Sequence, residues 1–305
     1  MRLLEPGEWV RLTDAKGRRH NFSLEPGAEF STKKGQIRHD DILGRPEGIV
    51  IQSSLGGDYQ VFRPLLHEYV VSMPRGAAIV YPKDAGQILM WADVAPGLTV
   101  VEAGAGSGSL SAYLLRAVGP DGRLSSYEIR EDFAEKARAN VAQSLGHVPD
   151  HWSLTVGDLR EIVSEDEIDR LILDLVDPWT CVPLALERLV PGGIICAYVA
   201  TTTQLSRFVE TLRETGGFTE PRAFETLQRD WHLQGLAVRP EHRMNGHTAY
   251  LAIARRMAPG EHTLERYRRP APGAYGPDYD GPRPFGWVDP AAADEALDDL
   301  PADPG

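Results

Sequence analysis

The sequence predicts an α/β chain: a doubly wound, mainly parallel sheet of seven strands, with a small β domain at its N-terminus. Three observations point there. From about residue 74, β-branched runs alternate with stretches of helical spacing. Over residues 1 to 62, short apolar runs are broken by tight-turn pairs. Beyond Met257 the composition changes to proline and acid.

In the first region, Trp9-Val-Arg-Leu12 and Gly48-Ile-Val-Ile51 are separated by Pro-Gly, Lys-Gly and Gly-Gly pairs. Glycine supplies the positive φ that tight turns need, so strands joined by turns fit this spacing. The segment Phe30-Ser-Thr-Lys-Lys-Gly-Gln-Ile-Arg-His39 gathers Lys33, Lys34, Arg38 and His39. It reads either as a solvated turn or as a loop that contacts phosphate or covers a cofactor.

The second region begins with the β-branched run Leu98-Thr-Val-Val-Glu-Ala103, then glycines, then Leu110, Tyr113, Leu114 and Ala117 at helical spacing. Further strands are expected at Arg123–Glu128, Trp152–Val156, Arg170–Asp174 and Ile194–Val199, the last after the turn Pro191-Gly-Gly193. Phe133, Ala137 and Val141 mark one intervening helix. Leu205, Phe208, Val209 and Leu212 recur at i, i+3, i+4 and i+7, one face of another. Runs near Phe224–Leu227 and Ala249–Ala254 close the sheet. The expected organisation is a β domain at 1–62, a catalytic domain at 63–257 and a Pro-rich acidic tail at 258–305. That tail holds nine of the 23 prolines and buries too little apolar surface to offset its ordering entropy. Phe285 and Trp287 are its candidate docking points.

The 305 residues are 42% hydrophobic, enough for a sizeable core, and no apolar run approaches the ~20 residues that cross a bilayer. The first residues lack an apolar signal core, and two cysteines, Cys181 and Cys196, are too few for a disulfide scaffold. A cytoplasmic setting without membrane partners is the expectation. The net charge of −12 is uneven, since residues 258–305 hold ten acids against four arginines. Binding follows local potential, so global acidity does not exclude a nucleic-acid partner.

The chemistry gathers at strand ends. Glu102-Ala-Gly-Ala-Gly-Ser-Gly-Ser-Leu110 lies where the first strand of the α/β region turns into a helix. Gly104, Gly106 and Gly108 allow a sharp turn and close approach of the backbone to a ligand. The spacing is Gly-x-Gly-x-Gly, with Ser109 where a dinucleotide fold places its third glycine, which favours a small nucleoside ligand. The next strand ends in Glu128, placed to accept ribose hydroxyl protons. The third is followed by Gly157-Asp158-Leu159, an acceptor for an adenine amino group, and the fourth ends in Asp174. Four successive strand ends offering one suitable residue each carry more weight than any one motif. A structural role as a helix cap is the plain alternative for any single acid.

This order of motifs resembles the class I S-adenosylmethionine-dependent methyltransferases. More narrowly, it is similar to the bacterial form of the tRNA (adenine-58-N1)-methyltransferase family. The resemblance rests on Gly35-Gln-Ile-Arg-His39, Asp41-Ile-Leu-Gly44, Tyr81-Pro-Lys-Asp84, the glycine motif, Leu173-Asp-Leu-Val-Asp-Pro-Trp179 and Tyr198-Val-Ala-Thr-Thr-Thr-Gln-Leu205. It spans roughly residues 5 to 257 and leaves out the acidic tail.

The resemblance implies a homotetrameric enzyme that methylates N1 of adenine 58 in the tRNA T-loop, with S-adenosylmethionine as donor. Gly104, Gly106, Ser107, Gly108, Ser109, Leu110, Glu128, Asp158, Leu159 and Asp174 would line the cofactor. Asp174 would be the catalytic carboxylate, and Tyr81 and Tyr198 would flank the target base. Asp177 stands where many relatives have Glu or another residue, which makes it a poor candidate for an essential role. Lys33, Lys34, Arg38, Arg229, Arg239, Arg243, His242 and His247 are candidate tRNA contacts, and His247 taken alone reads as structural. No metal is expected, because the histidines lack ligand spacing and methyl transfer from a sulfonium needs none. Competing readings are a dinucleotide oxidoreductase, a methyltransferase for another RNA position or a protein carboxylate, and a non-catalytic tRNA-binding subunit.

Overall fold

A computed structural model of the chain describes residues 2–264, 274–276 and 279–283. Phe285 and Trp287 lie outside the described residues, as does most of the expected tail. The chain divides into two compact units, one of residues 1–89, 95–97 and 105–158, the other of residues 90–94, 98–104 and 159–305.

The first unit opens with β1 (Trp9–Asp14), β2 (Arg19–Ser23), β3 (Glu29–Thr32), β4 (Gly35–Arg38), β5 (Ile49–Gln52) and β6 (Asp58–Phe62). Four of these form an antiparallel sheet in the order β2-β1-β6-β5, and β3 pairs with β4 as a separate hairpin. Alternation does the sorting: in β6 Tyr59 and Val61 are buried while Asp58, Gln60 and Phe62 face out. Val10, Leu12, Leu24, Ile37, Ile42, Ile51, Tyr59 and Val61 form one core there. His39, which the sequence groups with Lys33, Lys34 and Arg38, is buried. Its Nδ1 accepts the Glu25 N–H at 3.0 Å, and the ring stacks on Phe22 at 4.6 Å between centroids.

The same unit continues with α1 (Leu66–Ser72), most of α2 (Pro82–Trp91), α3 (Ser109–Val118), β8 (Arg123–Glu128), α4 (Glu131–Leu145) and β9 (Trp152–Val156), with β8 and β9 parallel. Both helix faces expected from spacing are turned inward: Leu110 and Leu114 of α3, Ala137 and Val141 of α4.

The second unit holds β7 (Thr99–Ala103), α5 (Leu159–Ile162), β10 (Ile168–Leu173), α6 (Val182–Arg188), β11 (Leu189–Val199), α7 (Thr202–Thr215), β12 (Arg222–Phe224), β13 (Trp231–Gln234), β14 (Ala237–Pro240) and β15 (Tyr250–Arg255). Strands β7, β10 and β11 run parallel, while β15 is antiparallel to β11 and β12. In sheet order the seven strands are β12-β15-β11-β10-β7-β8-β9, the mainly parallel sheet the sequence predicts. Phe208, Val209 and Leu212 of α7 are buried as its periodicity requires. The hairpin β13–β14 was not expected from the sequence. Among the described residues no helix is long and apolar enough to cross a membrane.

Candidate active site

After β7 the chain turns through Gly104-Ala-Gly-Ser-Gly108 into α3. Gly108 caps that helix at φ +77°, and a Cβ there would lie 2.9 Å from the Ala137 carbonyl oxygen of α4. A Cβ on Gly104 would lie 2.6 Å from the Asp174 carbonyl oxygen. Both glycines therefore answer to backbone neighbours that leave no room for a side chain.

In the first unit, Glu128 at the end of β8 is 6% exposed. One carboxylate oxygen accepts the Gly106 N–H at 2.9 Å and the other the Arg130 N–H at 3.0 Å. A carboxylate offers about four acceptor positions, so two remain for a ligand's hydroxyls. The Glu128 carbonyl accepts the Gly157 N–H at 2.9 Å, which fixes the turn leading to half-buried Asp158.

The serines of the glycine loop bind protein groups. Ser107 Oγ donates to the Ala77 carbonyl at 3.2 Å, and Ser109 Oγ accepts the Val80 N–H at 3.1 Å. Ser107, Ser109, Leu110 and Leu159 are all buried. These hydroxyls fasten residues 77–80, just ahead of Tyr81, and the Tyr81 carbonyl then accepts the N–H groups of Asp84 and Ala85 in the first turn of α2. Asn140 of α4, which sequence reasoning missed, is 4% exposed. Its Nδ2 donates to the carbonyls of Ser107 at 2.9 Å and Pro74 at 2.8 Å.

In the second unit, Asp174 follows β10 and is half-buried. Its N–H donates to the Ala103 carbonyl of β7 at 2.7 Å. Further along the same loop, the Asp177 carboxylate pairs with Arg160 at 3.6 Å and is 45% exposed. Arg160 also donates to Thr180 Oγ1 at 2.9 Å, and the Arg207 guanidinium lies 4.9 Å from the Trp179 ring centroid. Tyr198 sits half-buried in β11, in register with Leu251 of β15. At the end of that strand, the Ala200 carbonyl contacts His247 Nε2 at 2.8 Å, and His247 Nδ1 meets the Glu225 carboxylate at 3.1 Å. A carbonyl oxygen only accepts, so Nε2 carries the proton and His247 ties two loops together.

Lys33 and Lys34 are exposed at the β3–β4 turn, and Arg38 pairs with Asp41 at 3.3 Å. Arg229, Arg239, His242 and Arg243 are exposed around the β13–β14 hairpin. Among the described residues no group of three or more His, Cys, Asp or Glu could hold a metal ion. Both cysteines are buried, and burial pushes the Cys196 thiol up to about 12.

Known proteins match this arrangement over most of its length. The model of the tRNA methyltransferase complex GCD14 subunit matches residues 60–238, and a TrmI-like N-terminal model matches residues 3–51. A tRNA (adenine(58)-N(1))-methyltransferase TrmI from Thermus thermophilus is 36% identical over 246 residues, covering 80% of this chain and 95% of the relative. The chain belongs to the tRNA (adenine-58-N1)-methyltransferase family. A further relative, from Methanocaldococcus jannaschii, is 33% identical over 80% of this chain and 93% of its own, and its name covers adenines 57 and 58. Among solved structures, the tRNA (m1A58) methyltransferase TrmI of Aquifex aeolicus superposes with a TM-score of 0.74 at 26% identity, over 84% of this chain and 99% of its own. A SAM-dependent O-methyltransferase from Thermotoga maritima gives 0.79 at 30% identity, over 87% and 96%. The family is one of class I methyltransferases, which use S-adenosylmethionine as methyl donor, and its members are enzymes.

Proposed function

We propose that this chain transfers a methyl group from S-adenosylmethionine to N1 of adenine 58 in the T-loop of tRNA. The observation that carries the reading is the succession of Gly104–Gly108, Glu128, Asp158 and Asp174 at the carboxyl ends of β7, β8, β9 and β10, in a chain of this family. The Glu128 carboxylate, with two acceptor positions left, suits the ribose hydroxyls of a nucleoside. Asp158 suits its adenine amino group, with Leu159 beside it. The glycine loop, through the main chain of Gly104, Gly106, Ser107, Gly108 and Ser109, suits the close approach of the rest, with Leu110 beneath it. When bound, S-adenosylmethionine supplies a methyl group on a sulfonium, already an electrophile.

The remaining work falls to side chains. Adenine N1 has an in-plane lone pair, so no proton must leave before attack, and alignment is the main requirement. The alkylated base spreads positive charge onto N6. Asp174 stabilises that charge as it develops and then accepts a proton. N1 is hidden whenever the base is paired, so the base is extruded, and Tyr81 and Tyr198 replace its lost stacking. Residues 63–257 carry this chemistry, residues 1–62 contact tRNA and residues 258–305 are an appended tail.

Assembly as a homotetramer in the cytoplasm completes the reading. Trp231, Leu233 and Val238 share one face of the β13–β14 hairpin and are 56%, 74% and 54% exposed. A two-stranded ribbon is marginal alone, so an apolar face of this kind asks for a second copy to cover it. Leu233→Lys should reduce the assembly measured by sedimentation, and unchanged mass would remove the hairpin from the interface. Affinity for tRNA should fall steeply with salt through phosphate contacts, and a flat response would remove the basic surface.

The decisive experiment incubates purified protein with unmodified tRNA and labelled donor, followed by nucleoside mass spectrometry and position mapping. Label in 1-methyladenosine at position 58 is expected. Label at another nucleotide or on protein carboxylates would redirect the assignment of acceptor, and absence of label would favour a tRNA-binding subunit.

A further inference from the structure

Gln204 at the start of α7 makes more bonds than its local role requires. Its Oε1 accepts the Thr201 N–H and the Thr201 hydroxyl, both at 3.0 Å, while Thr201 Oγ1 accepts the Gln204 N–H at 3.2 Å. This is a capping box, and the reciprocal bond in such a box needs only an acceptor oxygen, which Glu or Gln supplies alike. The amide nitrogen is outside that motif. It donates to the Val176 carbonyl at 2.8 Å, reaching 28 residues back along the chain.

Val176 lies two residues beyond Asp174. The residue is 79% exposed, so apolar burial does not hold it. Upstream, Asp174 is tied through its N–H to Ala103, and downstream Asp177 and Thr180 are tied to Arg160. Gln204 supplies the tie between these two, on the carbonyl of the exposed residue.

We propose that Gln204 is a positioning residue for methyl transfer: its amide nitrogen anchors the Val176 carbonyl and thereby fixes the loop that presents the Asp174 carboxylate. The proposal rests on the reading of Asp174 as the catalytic carboxylate. Only a glutamine serves both roles. A glutamate keeps the acceptor for the cap but has no donor, and sets a carboxylate oxygen against the carbonyl.

Gln204→Glu separates the roles. The expected result is a thermal midpoint close to the parent's, tRNA KM and S-adenosylhomocysteine affinity within about twofold, and kcat lower by ~10- to 100-fold, the scale of a small misplacement. Amide exchange at residues 175–177 should quicken. Thr201→Ala is the converse: it weakens the cap, leaves the Gln204 donor and should keep kcat. In an Asp174→Ala background, Gln204→Glu should have no further effect on kcat, because the residue it positions is gone. If Gln204→Glu leaves kcat and exchange unchanged while Asp174→Ala is slow, the role of Gln204 is overturned and that of Asp174 stands. If Asp174→Ala itself is fully active, the reading of Asp174 fails first. Should Gln204→Glu not fold, Gln204→Met serves against Thr201→Ala: equal losses of kcat in the two overturn the proposal, and a loss confined to Gln204→Met supports it.

Discussion

The carboxylates at the ends of β8 and β10 are held by different means. Glu128 is fixed at its side chain, each oxygen taking a backbone N–H, from Gly106 and from Arg130. Asp174 is fixed at its main chain: its N–H bonds Ala103, its carbonyl sits where a Cβ on Gly104 would intrude, and its loop is tied at Val176. An acceptor immobilised by two amides suits a ligand group that stays the same through a reaction. A carboxylate whose backbone is anchored suits charge that appears only as the reaction proceeds, where preorganisation has most effect. The contrast is consistent with the proposed division, ground-state binding at Glu128 and transition-state stabilisation at Asp174, and each half can be broken separately.

The largest effect is expected at Asp174. Asp174→Ala should lower kcat by at least ~100-fold, the scale for one positioned acid–base or electrostatic group. Affinity for S-adenosylhomocysteine should change little. Calorimetric titration beside single-turnover kinetics checks both, and a variant that turns over normally while binding donor weakly would exchange the two roles.

Glu128→Gln comes next. Two charge-assisted bonds to backbone become one, because the amide nitrogen now faces an N–H, and the acceptor proposed for ribose hydroxyls loses its charge. Hydrogen bonds to charged groups are worth about 1.5–3 kcal/mol, so the Kd for S-adenosylhomocysteine should rise by ~10- to 100-fold. At saturating donor kcat should hold. A fall in kcat of the size expected for Asp174→Ala would erase the contrast.

How much of this could be read beforehand varies with the physics. The parallel strands were legible because short runs rich in apolar and β-branched residues alternate with helical spacing. Leu171, Ile172 and Leu173 of β10 and Val100 and Val101 of β7 are buried in succession, while β8 and β9 set Ser and Thr among Leu124, Tyr127, Trp152 and Leu154. An acid stands at or just past the ends of β8, β9 and β10. Hence Glu128, Asp158 and Asp174 stood out. The β13–β14 hairpin did not, since Trp231, Leu233 and Val238 face solvent and give no inward pattern to read. Asn140 was hidden for the opposite reason: it lies on the buried face of α4 beside Ala137 and Val141, and nothing in the helix marks one asparagine as bonding two carbonyls. Gln204 lay inside the family's motif, but the bond that distinguishes it from an ordinary cap is made across the fold. The burial of His39 was not legible, because sequence shows a histidine's neighbours, here Lys33, Lys34 and Arg38, and not what packs against it.

Ser109 supplies the smallest and sharpest test of the β8 side. The resemblance puts it among the residues lining the cofactor, yet its Oγ accepts the N–H of Val80, which is 1% exposed. If the hydroxyl is a fastener, Ser109→Ala leaves a buried N–H without its acceptor and should lower stability by about 1–3 kcal/mol. Below the unfolding transition, affinity for S-adenosylhomocysteine should then stay within about twofold, because the main chain at residue 109 is unchanged by the substitution. Denaturant unfolding and titration on the same preparation separate these outcomes. A loss of donor affinity beyond tenfold at unaltered stability would make the hydroxyl a ligand-binding group beside the carboxylates proposed at Glu128 and Asp158.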